Sequence, residues 1–155
     1  MMRMIFAVVY ILLVALLAVS CVEAGKKKNR LSLPVIKVTM AGAVTTLFYA
    51  LFLMVPVSNI HLAVFLTGMH YIAIDWMIYN MTNYIMAYTD SKLITSMPRY
   101  IVRGLLVLDS LSILINNFTY HVFTMDIVFS ESTGEFYFAS QAGSFMAVHF
   151  ALCYG

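Results

Sequence analysis

Tyr71, Asp75, Tyr79 and Asn83 recur at intervals of four in a run that is otherwise apolar, with Trp76 and Asn80 beside them. Residues four apart share one face of a helix, so this spacing predicts a polar stripe with a carboxylate near its middle. His70 falls off the stripe by about 140° of helical rotation. A carboxylate in hydrocarbon costs about 2.5–3.5 kcal/mol even on lenient insertion scales. Asp75 is therefore expected to face a protein interior, hydrogen-bonded to Tyr, Asn or water. Such a group has two readings. One is functional, contacting a ligand or relaying protons. The other is interhelical hydrogen bonding, worth about 0.6–2 kcal/mol per bond. A second acid, Asp109, has Ser110 and Ser112 nearby and lies where it can reach water. Asn117, His121 and His149 are the remaining polar candidates on that side.

The elements that must position these groups follow from composition. Of the 155 residues, 63% are hydrophobic and only 10% are charged, against about 25% charged in a soluble domain. Too little polar surface remains to cover a water-soluble globule, and the expected class is an integral membrane protein. A spanning helix needs about 20 mostly apolar residues. Apolar segments fall at about residues 4–22, 33–57, 62–88, 100–116 and 144–155. The last is cut off at Gly155 after about a dozen residues, so the chain reads as the N-terminal piece of a longer one. Residues 1–155 form a single membrane domain on this reading.

Charge sets the expected orientation. Lys26, Lys27, Lys28, Arg30 and Lys37 cluster between the first and second segments, and Lys92, Arg99 and Arg103 between the third and fourth. Arg3 is the one basic residue that falls on the other side. Cytoplasmic loops collect Lys and Arg, which predicts a multi-pass protein of the cell (inner) membrane with its N-terminus outside. A rival reading of "MMRMIFAVVYILLVALLAVSCVEAG" is a cleaved signal peptide. Its apolar run exceeds the usual 7–15 residues, and cleavage would leave "KKKNR" outside.

The segment after the fourth helix, "TYHVFTMDIVF" then "SESTGE" then "FYFAS", alternates β-branched and aromatic residues around turn chemistry. It predicts an outer β-hairpin over about residues 119–139. Two strands alone are marginal in water, so the hairpin needs the helix ends as its floor. Asn117-Phe118-Thr119 matches the glycosylation pattern. The two cysteines, Cys21 and Cys153, make no disulfide framework. No Cys/His cluster has metal-ligand spacing. There is no phosphate loop, nucleophile elbow or nucleic-acid patch, so neither cofactor nor nucleic acid is expected.

This layout resembles the N-terminal seven-helix sensor region that precedes bacterial histidine kinases and diguanylate cyclases. Three features carry the resemblance. The third helix, "YIAIDWMIYNMTNYIMAYTD", ends in an aromatic residue and a polar turn. Asn117, His121 and Phe123 look like the family's Asn…His…aromatic stretch. Gly143, His149 and Tyr154 match its Gly-x5-His-x4-Tyr spacing. Phe118 stands where that family usually has proline, and the tryptophan usual before the histidine is absent. The resemblance implies an all-α membrane protein, a transmembrane bundle with about five of seven helices present and a short extracellular hairpin between helices four and five. It implies a signal-transduction module without catalysis of its own. A small-molecule signal would be relayed to a cyclase or kinase output domain acting as a homodimer. Tyr71, Asp75, Trp76, Tyr79, Asn83 and Asp109 are the ligand-sensing candidates. Asn117, His121 and His149 are the candidates on the extracellular side. The alternatives are a proton-coupled transporter, with Asp75 and Asp109 as relay groups, and a small membrane subunit. Against the transporter, no inverted repeat or midplane helix break is visible.

Overall fold

A computed structural model describes residues 2–27, 29–89, 99–132 and 134–154. Lys28, Lys92 and the polar turn 90–98 lie outside the described residues, as do the side chains of Arg99, Cys153 and Tyr154. The elements run in the order α1 (Met2–Lys26), α2 (Ser32–Met54), α3 (Ile60–Thr89), α4 (Arg99–Thr119), β1 (Phe123–Ser130), β2 (Glu135–Ala142) and α5 (Met146–Tyr154). The first four helices are each long and apolar enough to cross a membrane. The two strands form a single antiparallel hairpin.

Helix ends follow local chemistry. α2 stops at Met54, short of the expected 57, because Pro56 disfavours helical geometry in the residue before it, and Val55 is extended at φ −64°, ψ 127°. Asn59 starts α3 by accepting the Leu62 N–H at 3.1 Å through its side-chain oxygen. α4 continues past the expected 116 to Thr119. It ends where Tyr120 turns to φ 53° and donates its N–H to the Asn116 carbonyl at 2.9 Å. α1 runs on to Lys26, which pairs with Glu23 one turn earlier at 2.5 Å.

The helices pack in chain order, α1 on α2, α2 on α3 and α3 on α4, with α5 against α4 and β1 against α3. Tyr10 meets Tyr49 edge-on across α1 and α2, with ring centroids 5.0 Å apart. α3 and α4 approach closely at Gly68, where a side-chain carbon would sit 3.2 Å from Ile113 Cγ2. Arg3, the basic residue apart from the others, has a local account. Its Nη2 donates to the Val55 carbonyl at 3.2 Å, at the negative end of α2, and its guanidinium lies 5.5 Å from the centre of the Phe138 ring.

The core gathers under the hairpin. Val64 and Leu66 from α3, Ile113 from α4, Val122 and Phe123 and Met125 from the hairpin, and Met146 from α5 are all buried together. The helix ends thus supply the floor that a two-stranded sheet needs. The strands are displaced from the expected 119–139. The chain first turns through Tyr120, and β2 extends to Ala142 because Phe123 pairs with Ala142 and Thr124 with Gln141. Gln141 Nε2 also donates to Asp126 at 2.7 Å across the hairpin. Beyond Asp126 the hairpin leaves this floor, and Ile127, Phe129, Phe136 and Tyr137 are exposed. The outward surfaces of the helices are apolar too: Ile5, Leu12, Leu16, Val19, Leu33, Met40, Leu108 and Ile115 are all exposed.

Candidate functional site

Three helices each place one ionisable side chain at a common point. α3 supplies Asp75, α4 supplies Asp109 and α5 supplies His149. Their exposures are 1%, 6% and 3%. His149 Nδ1 donates to Asp109 Oδ2 at 2.7 Å and lies 3.7 Å from Asp75 Oδ2. One donor atom from each of the three lies within 4.8 Å of the other two. Tyr71, one helical turn before Asp75, lays its ring 5.5 Å from that of His149 and meets Phe123 edge-on at 5.4 Å.

The position of His149 depends on how α5 is joined to the hairpin. Gly143 N–H donates to the Val122 carbonyl at 2.7 Å, and Phe145 N–H to the His121 carbonyl at 3.0 Å. A side-chain carbon at 143 would collide with His121 O and approach Val122 O to 2.8 Å, so the link is tight enough to require glycine. The other half of this joint is Asn116, fully buried at the last turn of α4. Its Oδ1 accepts the N–H groups of Val122 at 2.7 Å and Phe123 at 3.2 Å. Its Nδ2 donates to the Phe123 carbonyl at 2.9 Å. Three otherwise homeless backbone groups are satisfied by one side chain. His121 closes the joint from outside. Its Nε2 is bonded to Ser112 Oγ at 2.8 Å, its Nδ1 to Thr119 Oγ1, and its ring meets Phe145 edge-on.

Of the nine residues singled out from sequence, Tyr71, Asp75, Asp109 and His149 therefore converge. His149 does not belong with the outer-loop groups. It sits in α5 and is turned into the bundle. Trp76 reaches α4 at a separate place, where its Nε1 donates to Ser110 Oγ at 3.3 Å. Farther along the same face, Tyr79 Oη accepts from Arg103 Nε at 2.6 Å. Asn83 bonds only its own helix among the contacts described, donating to the Tyr79 carbonyl at 2.8 Å. Asn117 is half-buried beside Asn116, and His121 serves the joint. Sequence reading passed over Asn116. The pair of adjacent asparagines just before a turn was its only signal, and helical phase decides which of the two faces inward.

A cavity of about 270 Å³ opens beside the trio, between α2, α3 and the hairpin. Tyr49, Phe52, Thr67, His70, Tyr71 and Ser140 contribute to its wall. His70 Nδ1–H donates to the Thr45 carbonyl at 3.0 Å, which fixes the ring and leaves Nε2 as the acceptor of the neutral form. Tyr71 is common to the cavity wall and to the packing around His149. No protein-family model, curated protein or solved structure matches this chain.

Proposed function

We propose that this chain is a membrane-embedded signal-sensing module. In this reading it lies in the cell membrane of a bacterium, with its N-terminus outside. It relays a stimulus to a cytoplasmic output domain, a diguanylate cyclase or a histidine kinase, carried by the complete gene product. The apolar outward surfaces of four membrane-length helices support the bilayer. The clustering of Lys26, Lys27, Arg30 and Lys37 at the end of the bundle away from the hairpin supports the orientation.

The observation that carries the reading is the Asp75–Asp109–His149 trio, the buried link through which α3 and α4 engage α5. A signal acts only through its differential affinity for two arrangements. A short polar link inside an apolar bundle has two such arrangements, made and broken, and α5 leads directly out of it. In the complete gene product, Asp109→Asn is expected to lower the response of the output domain to stimulation while membrane insertion is retained. An unchanged response with normal insertion would defeat the proposal.

Proton-coupled transport is the second reading, since carboxylate and imidazole groups in series are relay chemistry. α3 runs unbroken past Asp75, unlike the interrupted helices common at transporter sites. Reconstituted vesicles that dissipate a pH gradient, and lose that activity with Asp109→Asn, would favour transport over sensing.

A further inference from the structure

We propose that Asp75, Asp109 and His149 form a binding site for one divalent transition-metal ion of the zinc class. The donor set is mixed, two carboxylate oxygens and one imidazole nitrogen, which suits such ions. Zinc lies about 2.0–2.2 Å from nitrogen and oxygen donors, so neighbouring donors in a tetrahedral site are about 3.4 Å apart. The distances from His149 Nδ1 to the two carboxylates, 2.7 and 3.7 Å, fall on either side of that value. One donor atom from each residue already lies within 4.8 Å of the others. The three donors thus stand within side-chain reach of one shared ion. The ion replaces the proton on Nδ1.

Two further features favour a cation here over a hydrogen-bonded trio alone. A divalent charge offsets both carboxylates in a setting where all three side chains are more than nine-tenths buried. The cavity beside the trio also offers a route. Tyr71 lines it and its ring packs on His149, so one side chain is shared by the cavity wall and the site. Three protein donors leave a fourth position for water, the arrangement of open zinc sites. The site stands apart from the sensor reading except in one respect: if that reading holds, the ion is the stimulus, and its higher affinity for the closed trio biases the position of α5.

The test uses the whole chain, purified in detergent micelles, stripped of metal and titrated with Co²⁺ alone, with Zn²⁺ as competitor. The expected result is saturable visible absorption at one ion per chain, displaced by Zn²⁺. Asp109→Asn and His149→Gln should each weaken binding at least tenfold. His149→Cys should retain binding and add a thiolate-to-cobalt charge-transfer band, a signature that general unfolding cannot give. His61→Ala, at the exposed outer surface, should bind as the parent does. Absence of Co²⁺ absorption in the parent chain, or binding that survives Asp109→Asn and His149→Gln without a new band in His149→Cys, overturns the site. These readouts need no output domain. A failed titration leaves the sensor reading to its own test, and a failed output response leaves the metal site standing.

Discussion

Replacing Asn116 by Ala should open the joint between α4 and the hairpin. The side chain is fully buried and makes three hydrogen bonds to the backbone of Val122 and Phe123, at 2.7, 3.2 and 2.9 Å. Removing it leaves two N–H groups and one carbonyl without their partner. Each buried orphan costs about 1–3 kcal/mol. The longer 3.2 Å bond shares its acceptor and counts for less, and partial relaxation of the loop recovers some of the remainder. An expected loss of about 3–4 kcal/mol follows. Local unfolding of the joint is the first process to feel it. At about 1.4 kcal/mol per tenfold, the amides of Val122 and Phe123 should exchange more than about 100-fold faster. The assay is hydrogen exchange of the micelle-bound chain, read alongside its unfolding midpoint. Asn117→Ala is the internal control, one position on and only half-buried, and it should change exchange at these amides by less than about fivefold, within about 1 kcal/mol. Equal effects of the two substitutions, or protection at Val122 and Phe123 that survives Asn116→Ala, would refute the reasoning.

Other outcomes follow from the same contacts. His149→Ala, which removes the imidazole between the buried carboxylates of Asp75 and Asp109, should destabilise the docking of α5 by about 3–5 kcal/mol, seen as faster proteolysis after Phe145. Gly143→Ala meets the carbonyls of His121 and Val122 and should cost about 1–3 kcal/mol or more as an overpacking change, measured by the unfolding midpoint. Gly68→Ala, with its new carbon 3.2 Å from Ile113 Cγ2, should cost about 1 kcal/mol and widen the α3–α4 separation, which spin labels on the two helices report. Tyr79→Phe removes only the bond to the exposed Arg103, and its unfolding midpoint should match the parent's.

The parts of this fold that are legible in the sequence are those set by local composition. Uninterrupted apolar runs announce α1 to α4, and "SESTGE" between aromatic and β-branched residues announces the hairpin. Boundaries were less legible because single residues set them: Pro56 shortens α2, and the left-handed Tyr120 fixes the end of α4. The site divides in the same way. An acid on a Tyr/Asn stripe is visible from spacing alone, and Asp75 is buried as that spacing requires. Asp109 and His149, forty residues apart, meet only because the Gly143 turn sends α5 back across α4. No local pattern encodes that angle. Metal-ligand spacing was absent from the sequence for the same reason, since each donor comes from a different helix. Asn116 was hidden by its neighbour, because adjacent helical positions differ by about 100° in direction and only the packed structure selects one.

The packing of each helix on its predecessor has a consequence for how the chain is made. Synthesis runs from the N-terminus, and neighbours in sequence dock as they emerge. α3 and α4 can therefore pair, with Asp75 and Asp109 side by side, before α5 has emerged to join them. The imidazole that joins them arrives last of the three, delivered by the hairpin and the tight turn at Gly143. Closure of the trio therefore waits for α5, and until His149 docks the seam between α3 and α4 lacks the imidazole that joins its two carboxylates.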